Sequence, residues 1–151
     1  MGKRFFLAGI IQGSARDDGV HDQRYRDRLR AILEEAFPGD FLYCPVENHP
    51  GSVQYADQDA RRVFHHHLDL IRESDALIVY LPEASMGSAI EMWEAHHAGA
   101  AVIAITPMAA NWVVRLFSDA VCETLDAFEA FVSEGKLHRM ITDKCKKTKA
   151  P

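Results

Sequence analysis

The sequence predicts an α/β fold, a doubly wound parallel sheet of four to five strands with helices on both faces. Two features of the chain predict it. Short runs that are apolar throughout, such as Ala-Leu-Ile-Val-Tyr-Leu at 76–81, read as parallel strands covered on both faces, because a strand with one wet face would alternate. Between them lie longer segments whose apolar residues recur at helical spacing, so strand and helix alternate, and right-handed crossovers wind that pattern into a layered sheet. Size agrees: 151 residues, 48% of them hydrophobic, suit one domain that buries about two-thirds of the surface its unfolded chain exposes.

In chain order, 5–11 is a buried first strand and 13–21 a polar loop with two glycines. Over 22–36 the residues Tyr25, Leu29, Ile32, Leu33 and Ala36 form a helical stripe, which Pro38-Gly39 stops. A second short strand, 41–44, ends at Pro45. The loop 46–55 after it is long and rich in side chains able to bind a ligand. A helix over 56–73 puts Val63, Phe64, His67, Leu68 and Ile71 on one side, with Arg62, His65, His66, Asp69 and Glu73 mostly on the other, so His67 faces inward. The strand 76–81 follows, then a helix over 88–97 capped by Gly99 and a strand over 101–105. A short helix at 111–117, an edge strand at 120–122 and a helix at 125–132, with Leu125, Phe128 and Val132 at core spacing, complete a flavodoxin- or Rossmann-like order. This domain spans 1–135. The stretch 136–151 reads as a solvated basic tail in which Lys144, Lys146, Lys147 and Lys149 surround Cys145.

Composition excludes several function classes. The three cysteines Cys44, Cys122 and Cys145 are odd in number and far apart, and two sit in apolar runs, which fits a reducing compartment and a cytoplasmic location without disulfides. The apolar stretch after Met1 is too short for a signal peptide, and no segment approaches a membrane span. A net charge of −5 argues against nucleic acid as a partner. His65-His66-His67 and His96-His97 cannot converge on one ion, because successive helical residues point about 100° apart; no metal and no cofactor are expected. There is no Gly-x-Ser-x-Gly elbow, and 9–14 lacks the glycine spacing of a dinucleotide fingerprint.

In a doubly wound sheet ligands bind beyond the carboxyl ends of the strands, where strand order reverses. Here those ends are the loops 9–21, 48–55, 82–87 and 106–112. Ser85 and Gly87 precede a helix N-terminus, whose free amides suit an anionic or hydroxyl-rich ligand, although Ser85 or Ser88 could equally serve as a plain helix cap. Glu91 lies one turn inside that helix, on the Gly87 side that approaches the loop, which marks it as the central site residue. Glu94, three residues further on, reads as a surface glutamate.

Gly87-Ser-Ala-Ile-Glu91, Ala95 and Ala98-Gly-Ala-Ala-Val-Ile103 resemble the nucleoside 2-deoxyribosyltransferases and their relatives, the deoxynucleoside monophosphate N-glycosidases. The likeness covers most of the chain loosely, from Phe6-Leu-Ala-Gly9 through Leu68, Ile71 and Ser74-Asp75 to Leu125 and Phe128. It implies cleavage or transfer at the N-glycosidic bond of a nucleoside or nucleotide, with Glu91 as the nucleophile that forms a glycosyl ester. It also implies that Ser85 and Gly87 hold the sugar's 5′ end, that Gly9 and Gly13 let backbone approach the ligand, and that the chain forms a homodimer or higher homo-oligomer whose copies complete each other's pockets.

Five residues depart from that pattern. His67 stands where an aspartate is usual, and is either a proton donor with a pKa near neutrality or a core histidine. Phe6 replaces the tyrosine of strand one, with Tyr55 and Tyr80 as candidate substitutes. Ile10 and Gln12 occupy the places of a phosphate-binding serine and arginine. Trp93 replaces a glycine, which predicts a reshaped pocket. Asn111 and Trp112 are candidates for stacking on a flat base in the pocket or for the subunit contact. The competing reading is a sensor that keeps the nucleoside-shaped pocket without the chemistry.

Overall fold

The computed structural model describes residues 2–148, with side chains through Cys145. Its elements in chain order are β1 (Arg4–Gly9), α1 (Tyr25–Ala36), β2 (Phe41–Tyr43), α2 (Pro45–Asn48), a 3-10 turn (Ser52–Gln54), α3 (Asp57–Arg72), β3 (Ala76–Tyr80), α4 (Met86–Ala98), β4 (Ala101–Ile105), α5 (Trp112–Phe117), β5 (Ala120–Cys122), α6 (Leu125–Ser133) and α7 (Lys136–Thr148). The five strands form one sheet in the order β2-β1-β3-β4-β5, and every pairing is parallel. This is the expected α/β doubly wound fold, in the flavodoxin-like order whose switch point lies between β1 and β3.

Alternate side chains on the strands build two cores. Phe5, Leu7, Ile78 and Ile103 pack with Leu29, Leu33, Phe128 and Leu137 under α1, α6 and α7. Phe6, Ala8, Leu77, Val79 and Val102 pack with Leu68, Ile71, Met92 and Ala95 under α3 and α4. Burial on both faces accounts for strands without polar alternation.

Element boundaries move where local hydrogen bonds compete with helix. The first helix starts at Tyr25 rather than 22, because the Asp22 carboxylate accepts from the Arg24 amide at 2.9 Å and the Gln23 amide donates to the Ile10 and His21 carbonyls, fixing a turn. Part of the expected loop 46–55 is helical, since Pro45 supplies a preset first position for α2. The N-cap of α4 is Ser85, whose Oγ accepts from the Ser88 amide at 3.4 Å, and the helix ends at Gly99 in the left-handed conformation (φ 83°).

The stretch beginning at 136 is corrected from solvated tail to amphipathic helix. Leu137 and Ile141, one turn apart, are buried in the core under α1 and α6, and the Lys144 ammonium reaches the Ala100 carbonyl at 2.8 Å and Asp119 at 2.7 Å. A lysine-rich composition hid this apolar stripe. The expected basic positions Lys146, Lys147 and Lys149 lie outside the described side chains.

Candidate active site

A cavity of about 270 Å³ opens at the carboxyl ends of β1 and β3, between the loop after β1, the α2–α3 segment and the start of α4. Its size is near the lower end of the range for small-molecule sites. Among its walls are Gly9, Gln12, Gly13, Tyr55, His67, Ser85, Gly87 and Glu91, eight of the residues singled out in the sequence. It also takes in Pro45, Phe64, Met86 and Ser88, of which Ser88 was legible only as a helix cap.

Glu91 reaches the cavity because α4 buries one face against β3 and β4 through Ser88, Met92 and Ala95, and Glu91 shares that face. Only 8% of its surface is exposed. Burial raises its pKa from 4.5 to about 7, with Arg26 opposing that rise. Among the described residues its carboxylate has no hydrogen-bond or ion-pair partner, so its oxygens remain available to a ligand. Glu94, by contrast, is tied to the Arg72 guanidinium at 2.6 Å on the outside of the same helix.

His67 enters from α3. Its ring lies edge-on to Phe6 (5.8 Å between centroids), Tyr43 (5.6 Å) and His49 (5.5 Å). Its Nε2 is buried without a partner. Desolvation, then His49 and His66, lower its pKa to about 4. At neutral pH it is therefore an uncharged imidazole, not the near-neutral acid that its residue type suggests. Such a ring has one N–H to donate and one lone pair to offer.

The loop residues divide. Gly9 lines the cavity, but its lack of a side chain serves packing: a Cβ there would collide with Tyr25 Oη and sit 3.0 Å from the Tyr80 carbonyl oxygen. Gly13 has φ +56°, and a Cβ would meet His21 and Ile10 at 2.7 Å. Gly87 alone of the three leaves open space where a Cβ would be. Tyr55 Oη is held by His49 Nδ1 at 3.2 Å.

Phe6 is fully buried, stacked on Tyr43 at 5.4 Å. Tyr80 is committed elsewhere, against Tyr25 at 4.2 Å. Tyr55 is thus the tyrosine at this cavity.

Three expectations fall outside it. Trp93 does not reshape the pocket; it points outward from α4, half exposed, onto His97 and Phe117. Asn111 caps α5, its Oδ1 accepting from the Val113 amide at 2.9 Å, and Trp112 is 76% exposed. Both lie beyond β4, one strand past the switch point, which is why the strand-four loop contributes nothing to the cavity.

One buried charge near the site is not evident from its residue type. Arg26, 3% exposed, donates to the Leu7 carbonyl at 2.8 Å and to the Gly9 carbonyl at 3.3 Å. The signal was present, since Arg26 stands in register with Leu29 and Leu33 on the buried stripe of α1. Among the described residues no three His, Cys, Asp or Glu side chains are grouped to hold a metal, and no helix is long and apolar enough to cross a membrane.

No protein-family model matches the sequence, and no curated protein matches it. Solved structures do resemble the fold. A 2-deoxyribosyltransferase from the psychrotolerant bacterium Bacillus psychrosaccharolyticus is 17% identical, with a TM-score of 0.60 over 83% of this chain and 90% of the other. A conserved protein from Enterococcus faecalis V583 is 19% identical, with a TM-score of 0.62 over 89% of this chain and 99% of the other. At such identities the likeness is one of fold.

Proposed function

We propose that the protein cleaves or transfers at the N-glycosidic bond of a nucleoside, with Glu91 as nucleophile. The observation that carries this reading is a buried carboxylate in the wall of a nucleoside-sized cavity with no protein group bound to its oxygens. The nucleoside-processing neighbour of the same fold supports it. In the proposed reaction a Glu91 oxygen bonds to the anomeric carbon while the bond to the base breaks and the base leaves with its electron pair. Water or a second base then attacks the anomeric carbon and displaces the glutamyl ester, returning the carboxylate, and the proton it gives up is taken by the departed base. His67, neutral, offers a hydrogen bond to the ligand through Nε2; Ser85 and the amides that begin α4 face the sugar's hydroxyl end.

Glu91 is the only charged side chain in the cavity wall among the described residues. A phosphate would meet a like charge there, so the reading favours an uncharged nucleoside over a nucleotide. Release of free base from a panel of nucleosides and nucleotides, followed by chromatography, tests it. Wild type should release base from a nucleoside and Glu91→Gln should not; turnover surviving in the variant removes Glu91 from the nucleophile role. The rate should climb with pH through about 7 as Glu91 ionises.

One observation favours the sensor reading. With Phe6 lacking a hydroxyl, Tyr55 Oη tied to His49 Nδ1 and His67 uncharged near neutrality, the described residues of the cavity wall offer no free acid to the leaving base. Saturable nucleoside binding without turnover on any panel member would establish that alternative.

The outer face of α4 and α5 supports a homo-oligomer. Met86, Ile90 and Trp93 line one stripe of α4 beside Trp112 and Leu116 of α5, all exposed, and Met86 joins this face to the cavity mouth. We assign it to a second copy of the chain, which gives Trp112 the subunit-contact role that its sequence position left open.

A further inference from the structure

Among the described residues the cavity wall carries the Glu91 carboxylate and no side-chain cation. That carboxylate is 8% exposed and has no hydrogen-bond or ion-pair partner among them. The buried guanidinium of Arg26 is committed to the Leu7 and Gly9 carbonyls and is not part of the wall. A carboxylate taken out of water without a partner is costly, and a positive charge brought against it inside the cavity offsets that cost. Much of the remaining wall is apolar or aromatic, with Val53, Val63, Phe64 and Tyr55 in it, and aromatic faces also attract a flat organic cation.

The wall is equally short of acids. Tyr55 Oη is held by His49 Nδ1 at 3.2 Å, His67 is an uncharged imidazole near neutrality, and Glu91 itself must be ionised to attack. A base that departs from an uncharged nucleoside takes a negative charge with it unless an acid protonates it. A base joined to the sugar through a positively charged ring nitrogen has no such need, because the electron pair of the breaking bond neutralises it.

We propose that the ligand of this cavity is a phosphate-free N-glycoside whose base is positively charged at the glycosidic ring nitrogen, as in a ribosylpyridinium, and that Glu91 pairs with that charge. This deepens the glycosidic reading and rests on it. A Glu91 oxygen bonds to the anomeric carbon, the carbon–nitrogen bond breaks, and its electron pair passes to the ring nitrogen. The base therefore leaves uncharged, with no proton delivered to it. Water then attacks the anomeric carbon and displaces the glutamyl ester, the carboxylate returns, and the proton passes to solvent. In the first step positive charge moves from the base to the sugar, beside the carboxylate that stabilises it. A wall without an acid suits this class of substrate.

Two probes of nearly the same shape separate charge from fit: nicotinamide riboside, a pyridinium cation, and its uncharged dihydro form. Both are titrated calorimetrically into wild type and Glu91→Gln. Base release from nicotinamide riboside, its 2′-deoxy analogue and uridine is followed by chromatography and corrected for uncatalysed hydrolysis. Wild type should bind the cation about tenfold more tightly than the dihydro form, and Glu91→Gln should lose that preference. The pyridinium glycosides should also exceed uridine in kcat/KM by about tenfold or more. Equal affinity for the two forms in wild type overturns the proposal, whether or not Glu91→Gln folds. Uridine cleaved with a kcat/KM equal to theirs overturns it as well, while leaving Glu91 its nucleophile role. Preference for the cation with no base released from any glycoside upholds the ligand class and fails the glycosidic reading instead.

Discussion

Glu91 and His67 share one cavity and are displaced in opposite directions by the same burial, Glu91 upward to about 7 and His67 downward to about 4. Each displacement ties stability to pH. Glu91 ionises more readily unfolded, so its contribution is full below pH 4.5 and is lost as pH rises to about 7. His67 protonates more readily unfolded, so its contribution is full above pH 6.5 and is lost as pH falls to about 4. At about 1.4 kcal/mol per pH unit, each group changes stability by about 3 kcal/mol. Between pH 4.5 and 6.5 the two slopes oppose and cancel. Glu91→Gln should therefore be the more stable protein at pH 8, and its melting temperature should rise from pH 4.5 to 6.5; His67→Phe should show the reverse slope. Thermal melts of the three proteins across pH 4 to 8 check this, and parallel curves would refute it. A cost in stability is expected at a ligand site where a charge is held ready in the resting protein.

Among the elements, α7 differs most from what composition suggests. Lysines dominate its sequence, yet its buried stripe closes the core under α1 and α6. Leu137→Ala should cost about 2–5 kcal/mol, whereas Arg139→Ala, on the exposed side, should stay within about 0.5 kcal/mol of wild type. Chemical denaturation distinguishes them, and equal small effects would return this segment to the role of a tail. The same lesson applies to α1. Its stripe of Tyr25, Leu29, Ile32 and Leu33 is plain in the sequence, but Arg26 on the same side does not read as buried, because an arginine is seldom inside without a partner. Its partners are the Leu7 and Gly9 carbonyls of β1, past the last β1–β2 pair at Phe6 and Tyr43.

Across the whole molecule, the site occupies one side of the switch point and the apolar α4–α5 face adjoins its mouth. If a second copy covers that face, sedimentation velocity should give a dimer or larger for wild type, and Trp93→Glu should shift it to monomer with the fold intact by circular dichroism. A wild type that stays monomeric at high concentration would leave the face without that role. The sequence alone determined the alternation of strand and helix, the two-faced burial of the sheet and the place of Glu91 at a strand-to-helix turn. All three follow from short-range periodicity and capping, which a linear chain displays. It also marked Gly9, Gln12, Gly13, Tyr55, Ser85 and Gly87, since the loops after β1, β2 and β3 converge in any sheet of this order, and His67 through the inward stripe of α3. Only the tertiary structure excluded Asn111, Trp112 and Trp93 from the cavity, because strand order places β4 past the switch point and helical phase turns Trp93 outward. It alone decided, too, that His67 is uncharged near neutrality and that Arg26 is buried against the Leu7 and Gly9 carbonyls, since ionisation and burial depend on neighbours brought together by folding.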